Sequence, residues 1–558
     1  MKRILFIIAI SLFFLPGIQA QDVTPLWEKS KPVAREAGRQ LAKEHLAVTA
    51  DGELYAAGRF SETFAFAGQD LEPIANSSYL IKYDNNGNEL WGVSIAGAAA
   101  VTGITLDETG NVFLTGSMAD EVVFNTTSGT AITKKGVTGT ELISAFVAKY
   151  NAAGAVQAVE VFNPVELDVE YEATPEIYFS DIQAVEGKTY VSAILKGKVT
   201  NNEITISSTT ANLWGIGYYV DLQSGFILSL TDDLKFENVI SEISATENNG
   251  MVMIDVFDAV FTIDNNVMYI GYVATGNQTM KIGSNTKDIT LNTPEGGAWQ
   301  YVYQFAAYNL STKATPIYKD YIVEHDAGFN RCRLTQLTPT AESIIAEGTF
   351  NGAPLVFDNT LEHKGADDVF AVILKKSDFT VIKAFTSGID EGDPNKNEEI
   401  WFASSFAGNN LIQIIMTSST EETPTTAYVL NVDLEQNTSK VLNQNTAMLP
   451  TGLSVKGLNG AVSIVNPSTS TINYKMGELI VSSAKALQAT DIAIYPNPVL
   501  NTINFSEACD VELIGITGSL IKTAQSVTSL DVSNLASGIY FVSVTNEKGS
   551  ETIKIVKK

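Results

Sequence analysis

Short apolar stretches, some alternating with polar residues and some unbroken, recur along the chain, separated by clusters of Gly, Asn and Asp. Such runs read as β-strands bounded by turns. One unit repeats: a turn, then a short strand that in most copies ends in a small residue. Its clearest copies are Asp51-Gly52-Glu53-Leu54-Tyr55-Ala56-Ala57-Gly58 and Thr109-Gly110-Asn111-Val112-Phe113-Leu114-Thr115-Gly116. Fainter copies begin at Glu186, Asn265, Ser343, Asn409 and Asn459. Their spacing, about 50 to 80 residues, is near or above that of a propeller blade. A second strand follows several of them, as in Tyr79-Leu80-Ile81-Lys82-Tyr83-Asp84, Ala145-Phe146-Val147-Ala148-Lys149-Tyr150-Asn151, residues 368–375 and, more weakly, residues 428–433.

Three or four short strands cannot cover both faces of their own sheet, whereas radial stacking of such sheets buries the faces and leaves short edges. The repeat resembles the bacterial β-propeller-repeat family, well over residues 45–160 and 340–390 and loosely elsewhere. The expected fold is all-β: a propeller of six or seven blades over residues 21–487. A ring must close, and Pro25-Leu26-Trp27-Glu28-Lys29-Ser30 resembles Glu89-Leu90-Trp91-Gly92-Val93-Ser94, the last strand of the first full blade. The N-terminal strand is therefore expected to complete the final blade. Residues 31–46 have helix-favouring composition, but Gly38 interrupts them, and they read as a connecting loop.

The last strands have a different character. Tyr495-Pro496-Asn497-Pro498 opens a small domain with an extended entry, because each proline fixes φ and removes a donor. Asn501-Thr502-Ile503-Asn504-Phe505 alternates as a half-buried strand does, and Gly518 marks a turn between two further strands. Gly538-Ile539-Tyr540-Phe541-Val542 is a strand, residues 546–549 a hairpin turn, and the alternating basic strand around Lys554 ends the chain. This segment resembles the type A C-terminal sorting domain of the type IX secretion system. The resemblance implies a small Ig-like β-sandwich over residues 488–558, recognised by that machinery at the outer membrane. Residues 481–490, where Ser, Ala, Lys and Gln replace the strand pattern, form the expected boundary.

Residues 1–20 fit a secretory signal: Met1-Lys2-Arg3, an apolar core over 4–15, a Pro16-Gly17 break and the small residue Ala20, so cleavage would leave Gln21 first. No cysteine follows for lipidation, and no later segment has the apolar length of a membrane helix. The formal charge is −27, and loss of Lys2 and Arg3 with the signal leaves −29. Such acidity repels phosphate backbones, so nucleic acid is not an expected partner. The two cysteines, Cys332 and Cys509, fall in different expected domains and build no disulfide framework.

Candidate chemistry is sparse. His45, His325 and His363 are far apart, and no nucleophile elbow, His-Glu-x-x-His or phosphate loop occurs. Asp84-Asn85-Asn86-Gly87-Asn88 offers oxygens around a glycine but lacks the distal Glu of a calcium loop, so an Asn-Gly hairpin explains it better. Its Gly lies one residue too late for the Asp-box of sialidase-like propellers. The acidic runs 166–170 and 391–393 read as solvated loops, with paired glycosidase carboxylates the rival reading. Trp27 and Trp91 read as blade packing, while Trp214, Trp299 and Trp401 are candidates to face a glycan. No catalytic, metal or cofactor site is expected. The reading is an exported, noncatalytic binding or scaffold module for an extracellular protein or glycan. The alternatives are a carbohydrate-active enzyme on the same scaffold and a structural adhesin component.

Overall fold

The computed structural model describes residues 24–31, 44–478 and 492–558, apart from short connecting segments, the longest being 166–175, 246–255, 292–299, 325–331 and 387–396. All structural statements concern the described residues, which form strands and turns with no α-helix. They fall into two compact units, Met1–Leu479 and Ile480–Lys558.

The first unit is a ring of seven antiparallel four-stranded blades. Blade 1 is His45–Val48, Leu54–Phe60, Ser77–Tyr83 and Glu89–Ala96. Blade 2 is Ala99–Leu106, Val112–Met118, Ser144–Tyr150 and Val156–Pro164. Blade 3 is Glu176–Val185, Lys188–Lys196, Ser224–Thr231 and Phe236–Ala245. Blade 4 is Val256–Asp264, Val267–Thr275, Gln300–Asn309 and Ile317–Glu324. Blade 5 is Arg333–Pro339, Ser343–Asn351, Asp367–Lys375 and Val381–Thr386. Blade 6 is Asn397–Phe406, Asn410–Ser418, Pro424–Asp433 and Thr438–Asn445. In blade 7 the last three strands of the chain's first unit, Gly452–Lys456, Ala461–Pro467 and Ile472–Glu478, are joined by the N-terminal strand Thr24–Lys31.

Each blade's first strand touches the first strand of the next, and the strand of blade 7 touches that of blade 1. The ring therefore closes through side-by-side first strands and through the N-terminal strand, whose Trp27 stands opposite Met476. All seven sequence repeats lie on the second strands of the blades. Residues 45 and 46, which read as loop, instead belong to the first strand of blade 1, because Leu46 packs inward beside Val48 and Leu54.

The core lies in the seams. One cluster joins Leu80 and Ile95 of blade 1 to Leu114 and Phe146 of blade 2, and another joins Tyr303 and Phe305 of blade 4 to Ile344 and Phe370 of blade 5. Middle strands are consequently buried on both faces; every residue of Ser77–Tyr83 and of Ser144–Tyr150 is buried. The outer edges of blades 1, 2 and 3 are covered by hairpins from the next blade. The hairpin Glu121–Phe124 with Ile132–Lys135, from blade 2, pairs with the outer strand of blade 1. Lys198–Thr200 with Thr205–Ser207, from blade 3, caps blade 2, and Gln278–Ile282 with Asn285–Ile289, from blade 4, caps blade 3. Pairing of this kind removes exposed strand edges.

Tryptophans plug two seams. The Trp27 ring of blade 7 lies within 2.7 Å of where a side chain at Gly87 would begin, and Trp91 of blade 1 stands in the same relation to Gly154 of blade 2. Both glycines have positive φ, 76° and 84°, in the turn between third and fourth strands. A larger residue would be strained there and would displace the indole.

In the second unit the long strand Thr502–Gly515 pairs with Ile494–Tyr495, Leu520–Asp531 and Gly538–Asn546, and the last of these with Gly549–Lys557. Val499 bridges Lys557 in parallel, folding the sheet over a core of Ile503, Phe505, Val511, Leu513, Val542 and Ile555 as a small β-sandwich. Cys332 and Cys509 are both buried and form no disulfide among the described residues.

Candidate functional site

A cavity of about 430 Å³ opens at the seam of blades 3 and 4. Tyr190, Ser229 and Asn238 of blade 3 form one wall; Tyr308 and Lys313 of blade 4 and the turn at Ser284 form the other. Tyr190 and Tyr308 are only 6% and 5% exposed. Among the described residues neither hydroxyl bonds a protein group, whereas Tyr272, for example, donates to Ser241 at 3.1 Å. At the rim Lys188 Nζ contacts Glu237 Oε1 at 2.6 Å, and this bond holds the Glu237 carboxyl below its ordinary pKa. Burial, with Glu237 and Glu186 nearby, raises the Tyr190 phenol, so it remains a neutral donor and acceptor.

Other candidates resolve into structure or fall outside the described residues. Asp84 Oδ1 accepts the backbone N–H of Asn86 and Asn88 at 2.9 and 2.7 Å, and Oδ2 accepts the Asn88 amide at 2.8 Å. Its carboxylate is committed to the turn, and the Asn88 bonds lower its pKa. Asn151 holds the corresponding turn of blade 2 in the same way, and Asp107 the turn between the first and second strands of that blade. Trp27 and Trp91 are seam packing, and Trp91 Nε1 donates to Ala152 O at 3.1 Å. Trp401 lies in the first strand of blade 6 and His45 in that of blade 1. His325, His363, Trp214, Trp299, the acidic runs 166–170 and 391–393, and Ala20 and Gln21 lie outside the described residues.

The C-terminal motif residues converge. Asn497 Nδ2 donates to Lys554 O at 2.9 Å, and Val556 N donates back to Asn497 Oδ1 at 3.0 Å. The side chain of Asn497 thus replaces a strand neighbour for the terminal strand, and Val499 continues that pairing with Val556 O at 2.8 Å. Tyr495 and Pro496, and Asn497 and Pro498, are joined by cis peptide bonds. Gly538, Ile539 and Tyr540 pair with Lys557, Val556 and Ile555, and Tyr540 Oη donates to Ala536 O at 2.9 Å. Ile539 and Val556 are exposed as a pair, with Tyr495 and Leu500 also exposed. Gly518 lies outside the described residues.

Residues 493–558 match the family described as the secretion system C-terminal sorting domain. The C-terminal unit is a sorting domain of that family. The protein is exported to the cell surface or secreted, through the type IX machinery that handles such domains. No curated protein matches the chain. Similar solved structures include an α-L-arabinofuranosidase of Fusarium graminearum, at 10% identity and TM-score 0.33, covering 82% of this chain and 98% of that one. An α-L-arabinanase of Penicillium chrysogenum has 10% identity and TM-score 0.35 over 74% of this chain and 99% of its own. A virginiamycin B lyase of Staphylococcus aureus has 10% identity and TM-score 0.27 over 81% and 99%. At that similarity they say nothing of what this chain binds or converts. No helix of the described residues is long and apolar enough to cross a membrane. The sorting domain was legible from its motifs; the cavity between blades 3 and 4 was not, although Phe236-Glu237-Asn238 stands where Glu89-Leu90-Trp91 and Pro25-Leu26-Trp27 stand in their blades.

Proposed function

We propose that this chain is a noncatalytic binding or scaffold module for an extracellular protein or glycan, carried to the outer face of the cell by its sorting domain. On this reading residues 1–20 direct entry to the periplasm and are removed between Ala20 and Gln21, residues 21–487 are the binding body, and residues 488–558 are the address. The observation that carries the reading is the attachment of a sorting domain to a self-closed ring with an open, polar cavity at one of its seams. A closed ring suits recognition because it holds loops and clefts in fixed positions.

Deleting residues 488–558 in a host with the type IX system should leave the protein in the periplasm, and fusing them to a passenger with its own signal peptide should release that passenger. Unchanged export after deletion refutes the sorting role. The secreted protein should bind on arrays of surface proteins or glycans without altering them; turnover of a bound glycan would replace this reading with that of an enzyme.

A further inference from the structure

We infer that the cavity at the seam of blades 3 and 4 is a saccharide-binding site, which takes one pyranose ring of a neutral or acidic glycan in a slot that a tryptophan fills elsewhere in the same molecule. The inference rests on the binding-module reading and narrows it. In blades 7, 1 and 3 the outer strand carries a β-bulge at the same place, and the residue just past it is Trp27, Trp91 and Asn238 respectively. The ladder row Tyr55–Lys82–Trp91 in blade 1 is therefore matched by Tyr190–Ser229–Asn238 in blade 3.

The neighbours match as well. Trp91 meets Tyr55 edge-on with ring centroids 6.0 Å apart, and Trp27 lies 5.4 Å from Tyr83 of the next blade. Tyr190 occupies the position of Tyr55, and Tyr308, which precedes its blade's turn as Tyr83 does, faces it across the seam. Both tyrosines are kept, but the indole is not. At the seam of blades 2 and 3 the position is Ala158, and there Lys149 crosses to Asp232 at 2.6 Å. At the seam of blades 3 and 4 the space stays open, at about 430 Å³.

What lines the space selects its occupant. Two nearly buried phenols present hydroxyls without protein partners, and the Asn238 amide, the Ser229 hydroxyl and the Lys188–Glu237 pair stand around them. A purely apolar ring would desolvate these groups without bonding them. A pyranose has a rim of hydroxyls that both donate and accept, which is the pattern of the polar groups lining the cavity. Gly283, whose added side chain would lie 2.7 Å from Tyr308 Oη, leaves that hydroxyl accessible.

The test uses the full-length secreted protein with four soluble probes, cellobiose, lactose, N,N′-diacetylchitobiose and digalacturonate, observed by saturation-transfer NMR and titration calorimetry, and indole as an aromatic control. At least one disaccharide should bind. Asn238→Trp, made together with Lys313→Gly to give the indole the clearance that Gly87 and Gly154 provide in the other seams, should refill the slot, weaken that binding about tenfold or more, and leave the melting temperature unchanged or higher. Should this double variant melt lower, Tyr308→Phe decides, since it removes one oxygen and should weaken binding about fivefold. Binding that neither variant changes places the glycan site elsewhere and overturns the inference while leaving the binding-module reading intact. Failure of every disaccharide, or binding of indole alone, overturns it too; the protein arrays then show whether the broader reading stands.

Discussion

At the scale of single residues, the ring holds carboxyls where a charge is costly, Asp181 and Glu347 among them. Glu347 lies on the second strand of blade 5, wholly buried, and its Oε1 accepts from Gln413 Nε2 of blade 6 at 2.6 Å. Burial pushes its pKa up to about 8, although the Gln413 bond opposes this. An acid whose folded pKa is raised binds more protons folded than unfolded over that interval, so stability falls as pH rises from its unfolded pKa to its folded one. The contribution of Glu347 is therefore fully present below about pH 4.5, declines toward pH 8 and is level above it, with a ceiling of about 5 kcal/mol across the window. Glu347→Gln keeps the size and the partner but removes the titration. Melting temperatures from pH 5 to 9 should show the parent losing stability relative to the variant. A difference independent of pH would mean that Glu347 does not titrate there.

At the scale of elements, a strand's place in its blade decides how plainly its sequence shows it. Second and third strands were legible because they sit mid-blade and carry apolar residues on both faces, as Val112–Met118 and Ser144–Tyr150 do. The blade-linking hairpins were not. Glu121–Phe124 and Lys198–Thr200 are four and three residues long, half exposed, and pair with a blade formed by other residues, so nothing local marks them. Asn238 was invisible for a related reason: its meaning lies in a register shared with Trp27 and Trp91, and that register is fixed by a bulge. The equivalence of the two tryptophans has a measurable consequence. Trp27→Ala and Trp91→Ala each empty a seam beside a turn glycine, and each should cost about 3–5 kcal/mol in chemical denaturation. Trp91→Ala also loses the bond to Ala152 O, which puts it toward the upper end. A cost below about 1 kcal/mol for either would show that the seam collapses around the loss.

At the scale of the whole molecule, closure depends on a strand from the far end of the first unit. Thr24–Lys31 supplies the outer strand of blade 7, pairing from Thr24 with Glu478 to Lys31 with Ile472. It also ties blade 7 to blade 1: Trp27 lies against Tyr83 and Gly87, Lys31 Nζ reaches Ala65 O at 3.4 Å and the Phe66 ring at 5.2 Å, and Lys31 forms an ion pair with Glu89. Removing residues 21–31 therefore does more than trim an end. It uncovers the edge of Ile472–Glu478 and opens one seam of a structure in which each blade is buried only by its neighbours. The truncated chain should melt well below the parent and aggregate during purification, while residues 488–558 prepared alone should melt as they do in the parent. Restoring the strand as a separate peptide of residues 21–32 should recover part of the lost stability, because the missing contacts are those of one strand. A truncated ring that melts like the parent would show that the first strands alone hold the circle closed.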